Sequence, residues 1–281
     1  MRRSKGVTSA TLSDLVRLPP DEMELLPRGW QILGTIILVS IPDALRDHAN
    51  AIGDALLTMY PRCNTVLRNM GVAGRFREPI CEVIAGKDET ETVHKENGCR
   101  FKLDTARIMF SQGNLAERTR MSTICANRDE IVLDMFAGIG YFSIQIAVHS
   151  RPRKIVAIEL NPVAYHYLVE NIKINRVEDI VLPVEGDCVT ESPQRTADRV
   201  IMGYLDSSRE QLISGLLAAK SGGVMHYHEA TPTVLTYQRP IRRIKDAAEA
   251  CGRSVGILGC RTIKKYAPGV LHVVVDVSVD E

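Results

Sequence analysis

The chain predicts an α/β protein, a doubly wound sheet preceded by a small α+β module, and three observations carry that reading. From about residue 111 onward, short apolar runs alternate with helical patterns, the rhythm of strand and crossover helix. One run, Ile131-Val132-Leu133-Asp134, closes on an acid and passes through a turn holding Gly138 and Gly140 into the apolar positions Phe142, Ile144 and Ile146. Upstream, the pattern is shorter and mixed, as in a separate α+β unit. The expected divisions are an N-terminal extension over residues 1–25, the module over 26–110, and the larger domain over 111–281.

Within the module, residues 32–39 read as a strand and 43–60 as an amphipathic helix. Residues 80–85 read as a second strand, and 91–103 as a hairpin around Glu96-Asn97-Gly98, since Asn-Gly favours the tight turn between paired strands. In the larger region the strand candidates are 131–134, 155–159, 180–184, 198–202 and 223–228. A helix over 238–251 and two strands, 254–261 and 270–278, close the chain. That last pair is joined by Lys264-Lys265-Tyr266-Ala267-Pro268-Gly269 and reads as an antiparallel hairpin.

Composition narrows the function. The 281 residues carry a net charge of only +1, so any nucleic-acid contact must come from local patches. Cysteines at 63, 81, 99, 125, 188, 251 and 260 are odd in number and form no Cys-x-x-Cys pair. That argues for a reducing compartment and against a zinc ribbon or disulfide framework. His226 and His228 share a strand face but read as strand-end packing, and no metal is expected. No apolar stretch reaches membrane-spanning length, and the basic, polar start lacks the apolar core of a signal peptide, so a cytoplasmic protein is expected.

The glycine turn after the first strand lets the backbone approach a ligand, and the helix start behind it offers unpaired N–H groups. The second strand, Lys154-Ile155-Val156-Ala157-Ile158-Glu159, ends in an acid placed to accept both ribose hydroxyls of an adenosine. NAD and S-adenosylmethionine both suit that geometry. A dinucleotide site wants a third glycine for its pyrophosphate, but Ser143 stands three residues after Gly140, and Tyr141 and Phe142 crowd the turn. The third strand is followed by Asp187, which can accept from the adenine amine while the Cys188 N–H reaches a ring nitrogen. Acids after strands one, two and three give the pattern of a class I, Rossmann-like, S-adenosylmethionine-dependent fold, with Phe136, Gly138 and Gly140 under the ligand.

Five motifs in order then resemble a known family: His94-Lys95-Glu96-Asn97-Gly98, Phe110-Ser111, Glu117-Arg118, Asp134-Met135-Phe136-Ala137-Gly138 and Tyr266-Ala267-Pro268-Gly269. They are similar to the tRNA guanine-37 N1-methyltransferases and their relatives in wybutosine synthesis. The resemblance runs from about Leu26 to the C-terminus, and it implies a chain without the separate tRNA-elbow domain of some relatives. The methyltransferases of that family carry an Asn-Pro-Pro or Asn-Leu-Pro motif after strand four, where this chain reads Met202-Gly203-Tyr204-Leu205. That departure resembles the branch that transfers the 3-amino-3-carboxypropyl group of S-adenosylmethionine to 4-demethylwyosine, a tricyclic guanine beside the anticodon of tRNA-Phe. A missing side chain at Gly203 would leave room for the aminocarboxypropyl arm.

The resemblance also implies that Ser111 and Arg118 contact the methionine part of the cofactor, and that Glu130 stands where the methyltransferases place a general base. Candidate RNA footprints are Arg100 with Lys102, the stretch 117–120, the stretch 239–245, and Lys264-Lys265, with Tyr141 and Tyr204 as stacking platforms. A monomer is expected. Guanine N1-methylation and RNA binding without turnover remain as alternative readings.

Overall fold

The computed structural model describes residues 10–125 and 128–281. The chain divides into two compact units, Met1–Gln112 and Gly113–Glu281.

The first unit begins with two short helices, α1 (Leu12–Leu15) and α2 (Pro20–Met23). Strands β1 (Gln31–Leu33) and β2 (Ile36–Val39) follow, then a 3₁₀ turn (Asp43–His48) that runs into α3 (Ala49–Met59). After these come β3 (Thr65–Ala73), β4 (Glu78–Gly86) and the hairpin β5 (Glu91–Glu96) and β6 (Cys99–Asp104). The sheet order is β1-β2-β3-β4. β2 and β3 are parallel because α3 crosses between them, and α3 lays Ile52, Leu56 and Met59 on a core shared with Ile37, Val39, Val66 and Ile84.

Three expectations change here. The single strand predicted over 32–39 is a hairpin, because Gly34 turns the chain at φ +55. β3 was not legible, since burial stops after Arg68 and the rest of the strand is exposed. Leu12 and Val16 are buried in the same core, so the stretch expected as an extension is partly built into the unit. Asn97 and Gly98 both take positive φ at the β5–β6 turn, as the Asn-Gly pair predicts.

The second unit opens with α4 (Leu115–Ser122). It then alternates β7 (Ile131–Asp134), α5 (Ser143–His149), β8 (Lys154–Glu159), α6 (Pro162–Asn175), β9 (Val181–Glu185), the short α7 (Cys188–Glu191), β10 (Ala197–Met202), α8 (Arg209–Ala218) and β11 (Ala219–Pro232). Helix α9 (Gln238–Ala250) leads to β12 (Ser254–Ala267) and β13 (Val270–Asp280). The sheet order is β12-β13-β11-β10-β7-β8-β9. The strands β7 to β11 are parallel, whereas β13 runs antiparallel between β11 and β12. This is the doubly wound sheet the sequence predicts. Strand order reverses between β7 and β10, and ligands of such sheets bind beyond the strand ends at that reversal. The sheet is held by buried Leu133, Val200, Met202, Met225, Val275 and Val277.

Candidate functional site

The loop after β7 is built around its two acids. Asp134 is fully buried at the strand end and accepts the Ser143 hydroxyl at 2.6 Å, and burial pushes its carboxyl up to about 6 against the pull of that bond. It therefore pins the start of α5 and is not open to a ligand. Gly138 and Gly140 adopt φ +58 and +95, and a Cβ on Gly138 would stand 2.6 Å from the Tyr141 ring. Both the backbone conformation and the close ring require glycine at 138.

Glu159 ends β8 and is the organising group. Its two carboxylate oxygens each accept a backbone N–H at 2.7 Å, from Gly138 and from Asn161. Burial pushes its carboxyl above the usual carboxylate range, while those N–H groups pull it back down. Each carboxylate oxygen retains a lone pair, so the group still has acceptor capacity for hydroxyls. Asn161 also caps α6 by accepting from the Val163 N–H at 2.9 Å. Asn161 was not among the expected site residues, although an Asn before Pro162 is a helix-start signal. Asp187 likewise caps α7, accepting from the Val189 N–H at 2.9 Å, with Cys188 buried behind it.

Beyond β10 lie Gly203 and Tyr204. A Cβ on Gly203 would come 2.9 Å from the Phe142 ring. The space expected for a ligand arm beside Gly203 is thus taken by Phe142. Lacking a side chain, Gly203 lets the helix-start ring pack onto the strand end. Tyr204 sets its ring against Phe136 of the glycine loop, centroids 5.4 Å apart. The Leu205 carbonyl accepts the Ala230 N–H at 3.1 Å, which ties this segment to β11.

Helix α4 contributes Arg118, which is buried and close enough to Tyr141 to oppose the rise that burial imposes on its phenol. Its neighbours face a polar layer over β11 and β13. Arg120 pairs with Glu117 at 2.6 Å and with Asp276 at 3.4 Å, and Asp276 also bonds His226 at 2.6 Å and Arg261 at 2.5 Å. Burial works against the Asp276 charge, yet these partners hold its carboxyl well below the usual carboxylate range. His228 bonds His272 at 3.1 Å, and burial lowers His226, His228 and His272, the last to about 4.

Two expectations are corrected by this geometry. Glu130 precedes β7, at the end of the strand opposite the glycine loop and roughly 13 Å away at the rise of an extended chain. It is buried in a two-point ion pair with Arg199 at 2.9 and 3.2 Å, which makes it a structural carboxylate rather than a base. Among the basic footprints, Arg118 is buried, Arg120 is paired as above, and Arg239 and Arg243 are both paired with Glu229, whereas Arg100, Arg242, Lys245 and Lys265 are exposed. Ser111 lies in the first unit, half-buried.

The donor set fits S-adenosylmethionine: a half-buried carboxylate fixed at the second strand end and a second acid after the third, beside the glycine loop. Residues 92–256 match the TRM5/TYW2 methyltransferase domain, and residues 11–90 the TYW2 N-terminal domain. The chain belongs to the TRM5/TYW2 family. It is 48% identical over 220 residues to a Methanocaldococcus jannaschii protein named tRNA(Phe) (4-demethylwyosine(37)-C(7)) aminocarboxypropyltransferase, covering 78% of this chain and 87% of that one. The crystal structure of P. horikoshii TYW2 in complex with MeSAdo aligns at a TM-score of 0.83 with 38% identity, over 94% of this chain and 95% of that one. The methyltransferase branch is also related: Trm5b of Pyrococcus abyssi, a tRNA (guanine(37)-N(1))-methyltransferase, is 35% identical over 95% of this chain and 79% of its own.

Proposed function

We propose that this protein transfers the 3-amino-3-carboxypropyl group of S-adenosylmethionine to 4-demethylwyosine in tRNA-Phe. The observation that carries the reading is the end of β10. Where the methyltransferase pattern places a polar side chain and prolines, this chain has Gly203 with the Phe142 ring against it. Relatives named for the same transfer match most of the chain.

Glu159 would hold the ribose hydroxyls and Asp187, with the Cys188 N–H, the adenine, over the loop of Phe136, Gly138 and Gly140. Arg118 would hold the carboxylate of the methionine part, the guanidinium pairing with it in two-point fashion. The bound sulfonium supplies an electrophilic γ-carbon and leaves as methylthioadenosine. The protein's contribution is placement, because an in-line approach at about 3 Å carries much of the rate in such displacements. Attack by an electron-rich ring carbon would form the new C–C bond as the γ-carbon–sulfur bond breaks, and the ring carbon would then lose its proton to solvent, with Glu130 engaged by Arg199 and Asp134 by Ser143.

Among the described residues the cysteines form no disulfide, which accords with a reducing cytoplasm. Among the described residues, no helix is long and apolar enough to cross a membrane. We take the working unit to be one chain.

The test is incubation with tRNA-Phe carrying the tricyclic precursor and S-adenosylmethionine, followed by mass spectrometry of the nucleoside by-product. Methylthioadenosine with a matching mass gain on the tRNA is expected. S-adenosylhomocysteine would instead favour the methyltransferase reading.

A further inference from the structure

We infer that Arg243 is a positioning residue for group transfer: seated on the buried Glu229, it fixes the loop after β10 and with it Tyr204 beside the glycine loop. The inference rests on reading that loop as the acceptor side of the site.

Glu229 is fully buried on β11. In the strand register Tyr227 lies beside Met202, the last residue of β10, so Glu229 stands two residues further, level with Tyr204 at the ligand edge of the sheet. Its Oε2 accepts the Tyr227 hydroxyl at 2.7 Å and Arg243 at 2.9 Å. Arg239 Nε stands 2.9 Å from Oε1, at ion-pair distance, though its N–H is not directed at that oxygen. The second terminal nitrogen of Arg243 donates to the Ser207 carbonyl. A guanidinium is planar, so fixing one arm on Glu229 aims the other.

The loop is drawn tight from there. Ser207 is buried, its hydroxyl donates to the Tyr204 carbonyl at 3.1 Å, and the Tyr204 ring meets Phe136. A path of contacts therefore runs from β11 through α9 to the segment on which Gly203 and Tyr204 sit. Stability alone does not call for this arrangement, because buried ion pairs are often matched or bettered by apolar residues of similar volume. The Ser207 bond in particular does nothing for the Glu229 charge. What it adds is a fixed loop direction.

The test uses Arg243→Lys in the intact protein with precursor-bearing tRNA-Phe. Lysine keeps a positive charge for Glu229 but cannot reach both the carboxylate and the Ser207 carbonyl. Arg239→Lys makes the same change on the same carboxylate with no loop bond to lose. We expect Arg243→Lys to lower kcat at least tenfold with the Kd for S-adenosylmethionine within twofold of wild type. Arg239→Lys should lower kcat less than threefold. Should Arg243→Lys unfold, the double variant Glu229→Gln/Arg243→Met removes both charges together, and it should regain the wild-type melting temperature without regaining kcat. An unchanged kcat in Arg243→Lys, equal losses in the two lysine variants, or a double variant of normal activity would overturn the inference. Total by-product is counted, so the result holds whichever by-product wild type releases. Its identity tests the proposed function separately.

Discussion

Glu159 shows how much one side chain organises. Its carboxylate receives the Gly138 N–H of the glycine loop and the Asn161 N–H at the head of α6, so the loop and the helix start share one anchor. Glutamine would set an amide NH₂ against one of those N–H donors. We expect Glu159→Gln to weaken S-adenosylmethionine binding by about 10- to 100-fold, the size expected for losing a hydrogen bond to a charged group, with isothermal titration calorimetry as the check. Glu130 is the opposite case. Breaking its buried pair with Arg199 leaves a guanidinium uncompensated, and such losses cost about 3–5 kcal/mol. Glu130→Gln should lower the urea midpoint while the folded fraction keeps its kcat and its pH profile, and a lost acidic limb in that profile would restore Glu130 as a catalytic base. Sequence could point to Glu159, because strand periodicity puts an acid at the strand tip. It could not reveal that Glu130 is engaged, because Arg199 lies on another strand of the sheet.

At the scale of elements, the polar layer under α4 joins a helix to two strands far away in sequence. Arg120 meets Asp276 across 156 positions, a pairing that no local pattern announces. β7 and β8 were legible because they are buried and run apolar over residues 131–133 and 155–158. The β1–β2 hairpin was not, since a two-residue turn between apolar runs reads as one strand. The layer has a pH signature. His272 is held neutral in the fold, its value lowered by burial to about 4 from an ordinary 6.5. The unfolded chain therefore binds the proton first, and stability contributed by the neutral ring falls as pH drops from 6.5 toward 4. Between pH 7.5 and 5 that is about 2 kcal/mol for this one histidine. Asp134, raised by burial to about 6, acts in the opposite direction, losing stability as pH rises from about 4 to 6. A comparison with His272→Gln isolates the histidine: its urea midpoint should change less between pH 7.5 and 5 than that of wild type. Equal changes would place the titration elsewhere.

For the whole molecule, the question is how a chain of net charge +1 holds a polyanion. The structure removes several basic residues from consideration, because Arg120, Arg239 and Arg243 already answer buried carboxylates and Arg118 is itself buried. What remains exposed on the second unit includes Arg242 and Lys245 of α9 and Lys265 of β12, on two elements that pack together. Phosphate contacts set affinity through counterion release, so each one adds roughly 0.7 to 0.9 to the slope of log Kd against log salt. Replacing Arg242, Lys245 and Lys265 together by glutamine should therefore reduce that slope by about 2 to 3, in filter-binding titrations over a range of salt. Affinity for tRNA-Phe at low salt should fall with it, and binding of S-adenosylmethionine should not, since none of the three touches the loop of Glu159. A weakened affinity with the slope intact would mean that these side chains shape the protein rather than meet phosphates. An unchanged affinity would move the tRNA footprint away from α9, toward the exposed Arg100 on the hairpin of the first unit. The two units would then divide the work differently, with the first holding the RNA and the second only the donor.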